Sequence, residues 1–196
     1  MERKFNCTKE QAMVYDYITK MEEKLGRRAE LPEDLKIIND GIREGLCDGV
    51  VLVGPTGSGK LGYAKLMAKK LNAPVFQLSL TSNTHLEDFY RSQIFSEPIE
   101  KGGFLIIEGM EFCHRSIEEW LETWFLCTLA GQKLVKPKLD DLLDIPEYIM
   151  SPNFVLVLVL DPDYLKQRIY RMSVGWFTKY PTFAVHGKVR MERGEE

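Results

Sequence analysis

Cysteine is scarce and scattered in this chain of 196 residues. Its four cysteines, Cys7, Cys47, Cys113 and Cys127, lie far apart and form no CxxC pair. That argues against a zinc site and against a disulfide framework, and it fits a reducing compartment. His85, His114 and His186 are isolated and have no metal-ligand spacing. Charge of one sign is lacking too: 26 Lys and Arg stand against 29 Asp and Glu, a net −3 that makes no case for general nucleic-acid binding. The longest apolar run, Phe154 to Leu160, is far too short to span a bilayer. Met1-Glu2-Arg3-Lys4 leads into no apolar stretch that would act as a secretory signal. No internal repeat or low-complexity segment stands out. The expectation is a soluble intracellular protein with neither nucleic acid nor membrane among its partners.

The remaining composition is ordinary for a globular chain, 44% hydrophobic and 28% charged. Its length suits one domain with a substantial core. Against this background one stretch carries most of the information. Val50-Val51-Leu52-Val53 reads as a short buried strand that breaks into Gly54-Pro55-Thr56-Gly57-Ser58-Gly59-Lys60, the pattern of a phosphate-binding P-loop. Glycines let backbone N–H groups turn inward as an anion nest. The following helix aims its positive end at the same point, and Lys60 adds a full charge. The next position normally holds a Ser or Thr whose hydroxyl ligates Mg²⁺. Here it is Leu61, which cannot ligate a metal. Gly54 to Leu61 is therefore the candidate nucleotide-binding segment, with a weakened metal site, and binding is better supported than hydrolysis.

Around that loop the chain alternates strands and helices. Thr8-Lys9-Glu10-Gln11 has capping-box form ahead of Val14, Ile18, Met21 and Leu25. A second helix is expected from near Pro32, with Leu35, Ile38, Ile42 and Leu46 on one face. Residues 1–47 thus read as a helical lead-in. Lys60 to Leu71 should be helical, Pro74 to Leu80 a strand, and Thr84 and Ser116 the starts of capping boxes. Phe104 to Ile107 is a buried strand running into Glu108, and Asn153 to Leu160 is the last core strand. Lys133 to Met150 reads as an irregular insert. Strands apolar on both faces imply a parallel, three-layer α/β sheet spanning 48–172, followed by a C-terminal extension over 173–196.

Glu108 ends its strand beside the expected P-loop strand, where an acid can face Mg²⁺; the alternative is a plain strand-end acid in the Glu108-Gly109 turn. A second acid commonly follows directly, to polarise the attacking water. Gly109 stands there instead, and Glu111, two positions on, is the remaining candidate catalytic acid beside Glu108 unless it is simply exposed. Asp161 ends the last core strand, placed to sense a γ-phosphate. Arg168 and Arg171 follow, either as phosphate-reaching residues or as surface ion pairs. Trp120, Trp124 and Trp176 are expected in the core or at its edge.

In order and spacing, Gly54 to Lys60, the Phe104-to-Glu108 strand and the Asn153-to-Leu160 strand resemble an AAA+ ATPase core. The closer likeness is to the AAA+ modules of dynein heavy chains, particularly the third and fourth. It rests on Gly59-Lys60-Leu61, on Phe104 to Glu108 with Glu118-Glu119-Trp120-Leu121, and on Val174-Gly175-Trp176-Phe177-Thr178-Lys179-Tyr180-Pro181. Gly175 stands where that pattern has an acid, and the chain stops before the helical lid of such modules. The resemblance implies ATP or ADP at an interface between modules, adjacent AAA+ modules or dynein subunits as partners, and an indirect place in the microtubule system at the cytoskeleton or axoneme. It also implies slow or absent turnover. The rival expectations are a small-molecule P-loop kinase and a structural remnant of the fold that no longer holds nucleotide.

Overall fold

A computed structural model describes residues 2–26, 28–90, 92–134, 147–164 and 175–186. In chain order its elements are α1 (Lys9–Ala12), a 3₁₀ turn (Met13–Tyr15), α2 (Asp16–Leu25), α3 (Glu33–Glu44), β1 (Gly49–Val53), α4 (Lys60–Lys70), β2 (Val75–Ser79), α5 (Leu86–Tyr90), α6 (Gln93–Lys101), β3 (Gly103–Glu108), α7 (Arg115–Cys127), β4 (Phe154–Leu160), α8 (Gly175–Lys179) and β5 (Thr182–Ala184). The strands form one parallel sheet in the order β2-β3-β4-β1-β5.

The α/β class and three layers follow from strand periodicity. Successive side chains of a strand face opposite ways, and here both faces are covered. Val51, Val53, Leu105, Ile107, Leu156, Leu158 and Leu160 pack on one side with Phe95, Trp120, Trp124, Phe125 and Trp176. Val50, Leu52, Phe104, Ile106, Val155, Val157 and Val159 pack on the other with α4 and the lead-in, through Tyr15, Ile18, Leu35, Ile42, Leu66 and Met67. All three tryptophans are buried, as the sequence implied.

One expectation about neighbours is overturned. The Glu108 strand is not beside the phosphate-loop strand, because β4 lies between β3 and β1. Apolar periodicity reveals that a strand is buried but not which strand it pairs with. The register still brings the carboxyl ends to one edge: Val53 pairs with Leu160, Val159 with Glu108, and Glu108 with Ser79.

Local corrections have local causes. The Thr8 capping box forms, but the first lead-in helix is interrupted by the 3₁₀ turn, which shifts its phase. Tyr15 and Ile18 are buried, whereas Val14 and Leu25 are exposed. The Tyr15 hydroxyl donates to the Ala73 carbonyl, seating the lead-in beside the end of α4. Leu46 is 77% exposed because α3 stops at Glu44 and Gly45 turns into the left-handed region. At the second expected box, the Asp88 carboxylate accepts from the His85 N–H. At the third, His114 Nδ1 accepts from the Ser116 N–H, so His114 is the cap. Three elements escaped the sequence reading, α8 (Gly175–Lys179) among them. α6 hides behind its internal Pro98, and β5 is too short to show alternation, although it pairs with β1 within the expected C-terminal extension. No helix among the described residues is long and apolar enough to cross a membrane.

Candidate functional site

The site is built at the carboxyl ends of β1, β4, β3 and β2, where an open cavity of about 830 Å³ is lined by residues from each strand end and from α2. Thr56, Gly57, Gly59, Lys60 and Leu61 border it at the end of β1; Val159 and Asp161 at the end of β4; Glu108, Gly109 and Glu111 at the end of β3; Ser79, Leu80 and Thr81 at the end of β2. The volume lies at the upper end of the range for small-molecule sites.

The loop after β1 turns through two glycines at positive φ, Gly57 and Gly59. Gly59, at φ +91°, occupies a region closed to most side chains, and α4 begins directly at Lys60. The start of α4 thus points its unpaired N–H groups into the cavity edge. The Lys60 ammonium donates to the carbonyls of Gly54 and Pro55 (2.9 Å to Pro55), bending the side chain back over its own loop. Ser58 is buried, with no hydrogen-bond partner for its hydroxyl. Thr56 Oγ1 donates to Asp161 Oδ2 at 3.3 Å, joining the tip of the loop to the end of β4. Leu61 is half-buried and packs against the lead-in side of the core, as an apolar side chain should.

Glu108 is held by two residues that the sequence reading passed over. Gln77 Nε2 and Ser79 Oγ both donate to Glu108 Oε1, at 2.7 and 2.6 Å. A signal existed: Gln77 and Ser79 are two apart on one strand and so share a face, and Gln77 is a polar break in an otherwise apolar run. Their partner could be found only once β2 was known to adjoin β3. The arrangement fixes one carboxylate oxygen and leaves Oε2 outside these two bonds.

Gly109, where a second acid is often found, has a steric reason to be glycine. Its φ is +79°, and a Cβ there would stand 2.3 Å from the Leu80 carbonyl oxygen. β2 and β3 close together at this point through Leu80 N–H to Glu108 O at 2.8 Å. The next acid along, Glu111, does reach the cavity, and its Oε2 is buried with no hydrogen-bond partner. Arg168 and Arg171 lie outside the described residues. Among the described residues no group of three or more His, Cys, Asp or Glu side chains could hold a metal ion unaided. A Mg²⁺ ion needs only one or two carboxylates when phosphate oxygens and water complete its shell. Glu108 could supply one of these, and Leu61 none.

Residues 49–160, more than half of the chain, match the family described as AAA domain, dynein-related subfamily. No curated protein matches the chain. Among solved structures, two point mutants of Thermotoga maritima RuvB are similar at 19% identity, each over 78% of this chain, with TM-scores of 0.55 and 0.53. Brucella abortus NtrX, solved in complex with ATP, is similar at 14% identity over 90% of this chain, with a TM-score of 0.54. At such identities the likeness is one of fold. The chain spans 44%, 43% and 40% of the lengths of these three, less than half in each case.

Proposed function

The chain belongs to the dynein-related subfamily of AAA domains, and on that premise we propose that it is a nucleotide-binding module that holds ATP or ADP and turns it over slowly or not at all. The observation that carries this reading is the convergence on one cavity of the Gly54–Lys60 loop, the start of α4, Glu108 and Asp161. Gly57, Gly59 and Lys60 would cradle the phosphates, with Lys60 released from the loop carbonyls to meet them. Asp161, tied to Thr56, would register whether the terminal phosphate is present.

Mg²⁺ would be held by Glu108 and phosphate oxygens. When bound it neutralises charge on the phosphates. This chain lacks the hydroxyl at Leu61 that completes the usual set, and it lacks an acid at Gly109. Glu111 is the remaining carboxylate that could accept a proton from water. Both losses favour retention of nucleotide over its cleavage. The likeness to the third and fourth modules of dynein heavy chains supports a further step: nucleotide here would bias the packing of adjacent modules in a microtubule-based motor.

Calorimetric titration of ATP and ADP, with and without Mg²⁺, tests the core of this reading. Lys60→Ala should weaken binding by roughly tenfold or more, the worth of a charge-assisted phosphate contact. Mg²⁺ should change the wild-type affinity only modestly. Absence of binding in wild type would favour a structural remnant, and phosphoryl transfer to a small acceptor would favour a kinase.

A further inference from the structure

The sheet ends on two unequal edges. β5, on one side, is only three residues long. β2, on the other, runs from Val75 to Ser79 against Phe104 to Glu108, with no further strand beside it among the described residues. The bonds from the Phe104 N–H to the Pro74 carbonyl and from the Leu80 N–H to the Glu108 carbonyl, both 2.8 Å, fix the phase of this pairing. Phe76 and Leu78 therefore direct their peptide groups at β3, and those of Val75, Gln77 and Ser79 point away from the sheet. Val75 is buried, but Gln77 is half-buried and Ser79 exposed. Among the described residues no hydrogen bond uses the main-chain groups of Gln77 and Ser79.

Such an edge is a template for another strand, and proteins usually blunt theirs with a charged side chain or a bulge. Neither device is present here. No charged residue occurs from Asn72 to Thr84, and the register with β3 is continuous. At the foot of β2, at the end of the strands away from the first cavity, a second cavity of about 400 Å³ opens between the N-terminal arm, the start of β2 and the end of α6. Phe5, Pro74 and Phe76 give it apolar walls, and Lys4 and Lys101 border it with a single carboxylate, Glu97. Glu97 is already paired with Lys101 at 2.9 Å. Lys4 makes no ion pair among the described residues, so the excess charge at the foot is positive.

An open main-chain edge that leads into an apolar, positively charged pocket suits an extended peptide. Main-chain bonds along the edge supply affinity, and the pocket selects among side chains. We propose that β2 is a docking strand for an extended segment of a partner protein, which adds to the sheet antiparallel to β2. An apolar residue and an acidic residue near the carboxyl end of that segment occupy the foot cavity. Antiparallel pairing is the slightly more stable kind, and it brings the carboxyl end of the segment beside Lys4 and Lys101. A second copy of this chain fits the edge less well. Paired antiparallel through its own β2, it would bring Leu80 to Thr84 to the foot, a stretch with no acid. The site does not depend on whether nucleotide is bound.

Hydrogen exchange of the full chain, read by amide NMR, tests the assignment. The probe is a short synthetic peptide, capped at both ends, in which valine and threonine alternate ahead of a phenylalanine and two aspartates. At saturation the Gln77 and Ser79 amides should exchange at least roughly tenfold more slowly, while Phe76 and Leu78, already bonded to β3, stay unchanged. The same peptide N-methylated at the alternate residues that face β2 keeps its side chains but loses its donors, and it should not bind. Lysines in place of the aspartates should raise the Kd roughly tenfold. Lys4→Glu, at an exposed position, should remove that preference. No protection at Gln77 and Ser79, equal binding of the N-methylated peptide, or an unaltered preference in the folded Lys4→Glu protein would overturn the proposal. So would protection of the same two amides that grows with protein concentration in the absence of peptide, which would assign the edge to a second copy.

Discussion

At Leu61 and Gly109 the two departures from the usual loop chemistry have different physical standing. Leu61 is a replaceable side chain: it is half-buried against the lead-in side of the core, at the edge of the cavity. Leu61→Thr should cost about 1 kcal/mol in lost apolar contact. In return it supplies a hydroxyl next to Lys60, so ATP affinity should become several-fold dependent on Mg²⁺, as read by titration with and without the metal. Gly109 is not replaceable in that way. Gly109→Glu puts a Cβ against the Leu80 carbonyl at a positive φ, and strain of this kind costs roughly 1–3 kcal/mol before the clash is counted. The expected outcome is a lower urea midpoint with no gain in phosphate release. A stable and more active Gly109→Glu protein would refute the steric account of this position.

At the scale of elements, the lead-in is fastened to the sheet by a few polar contacts that set its place over α4. Lys69 of α4 pairs with Glu22 of α2, and the Glu22 carboxylate also accepts from the Ala29 N–H at 2.8 Å. Partial burial pushes this carboxyl up, but the Lys69 and Ala29 hydrogen bonds and the charges of Lys69 and Lys70 outweigh it and hold it below its ordinary value. A carboxylate whose folded value is lowered stabilises the fold above its unfolded value, near about 4.3, and loses that contribution as pH falls through the lowered one. Wild type should therefore exceed Glu22→Gln by roughly 0.5–1 kcal/mol at neutral pH, and the gap should close between about pH 4.5 and 3. Urea midpoints across that range are the measurement. A gap that persists at pH 3 would mean that packing, and not charge, separates the two proteins. Because α2 also walls the cavity, loosening this pair should reach the cavity as well.

Across the whole molecule, Arg3 joins pieces that are far apart in sequence. It is 7% exposed, and its guanidinium donates to the carbonyls of Ile42, Cys47 and Pro152 and to the Asp48 carboxylate. One side chain thus ties the N-terminal arm to the end of α3, the entry to β1 and the approach to β4. Arg3→Ala removes four donor contacts and leaves Asp48, itself partly exposed, without its partner. A loss of about 2–3 kcal/mol is expected, seen as a fall in Tm of roughly 5–10 °C for a chain of this size. A shift below 2 °C would show that the arm adds little to the fold.

The loop from Gly54 to Lys60, the buried strands, the parallel α/β class and the tryptophan-rich layer could be read from residue type and spacing, because each rests on local chemistry. Glycines permit a nest, alternation fixes which side chains face inward, and apolar runs must be covered. Nothing local could place β4 between β1 and β3, pair Gln77 and Ser79 with Glu108, or bring Tyr17, Glu111 and Phe112 to one cavity. Those relations depend on which strands adjoin and how the lead-in crosses the sheet. The sequence determined that this chain can present a glycine-rich loop ending in Lys60 at the edge of a parallel sheet. The tertiary structure decided what surrounds that loop, because strand order and helix placement minimise the exposed surface of the whole chain at once, a balance that no single segment records.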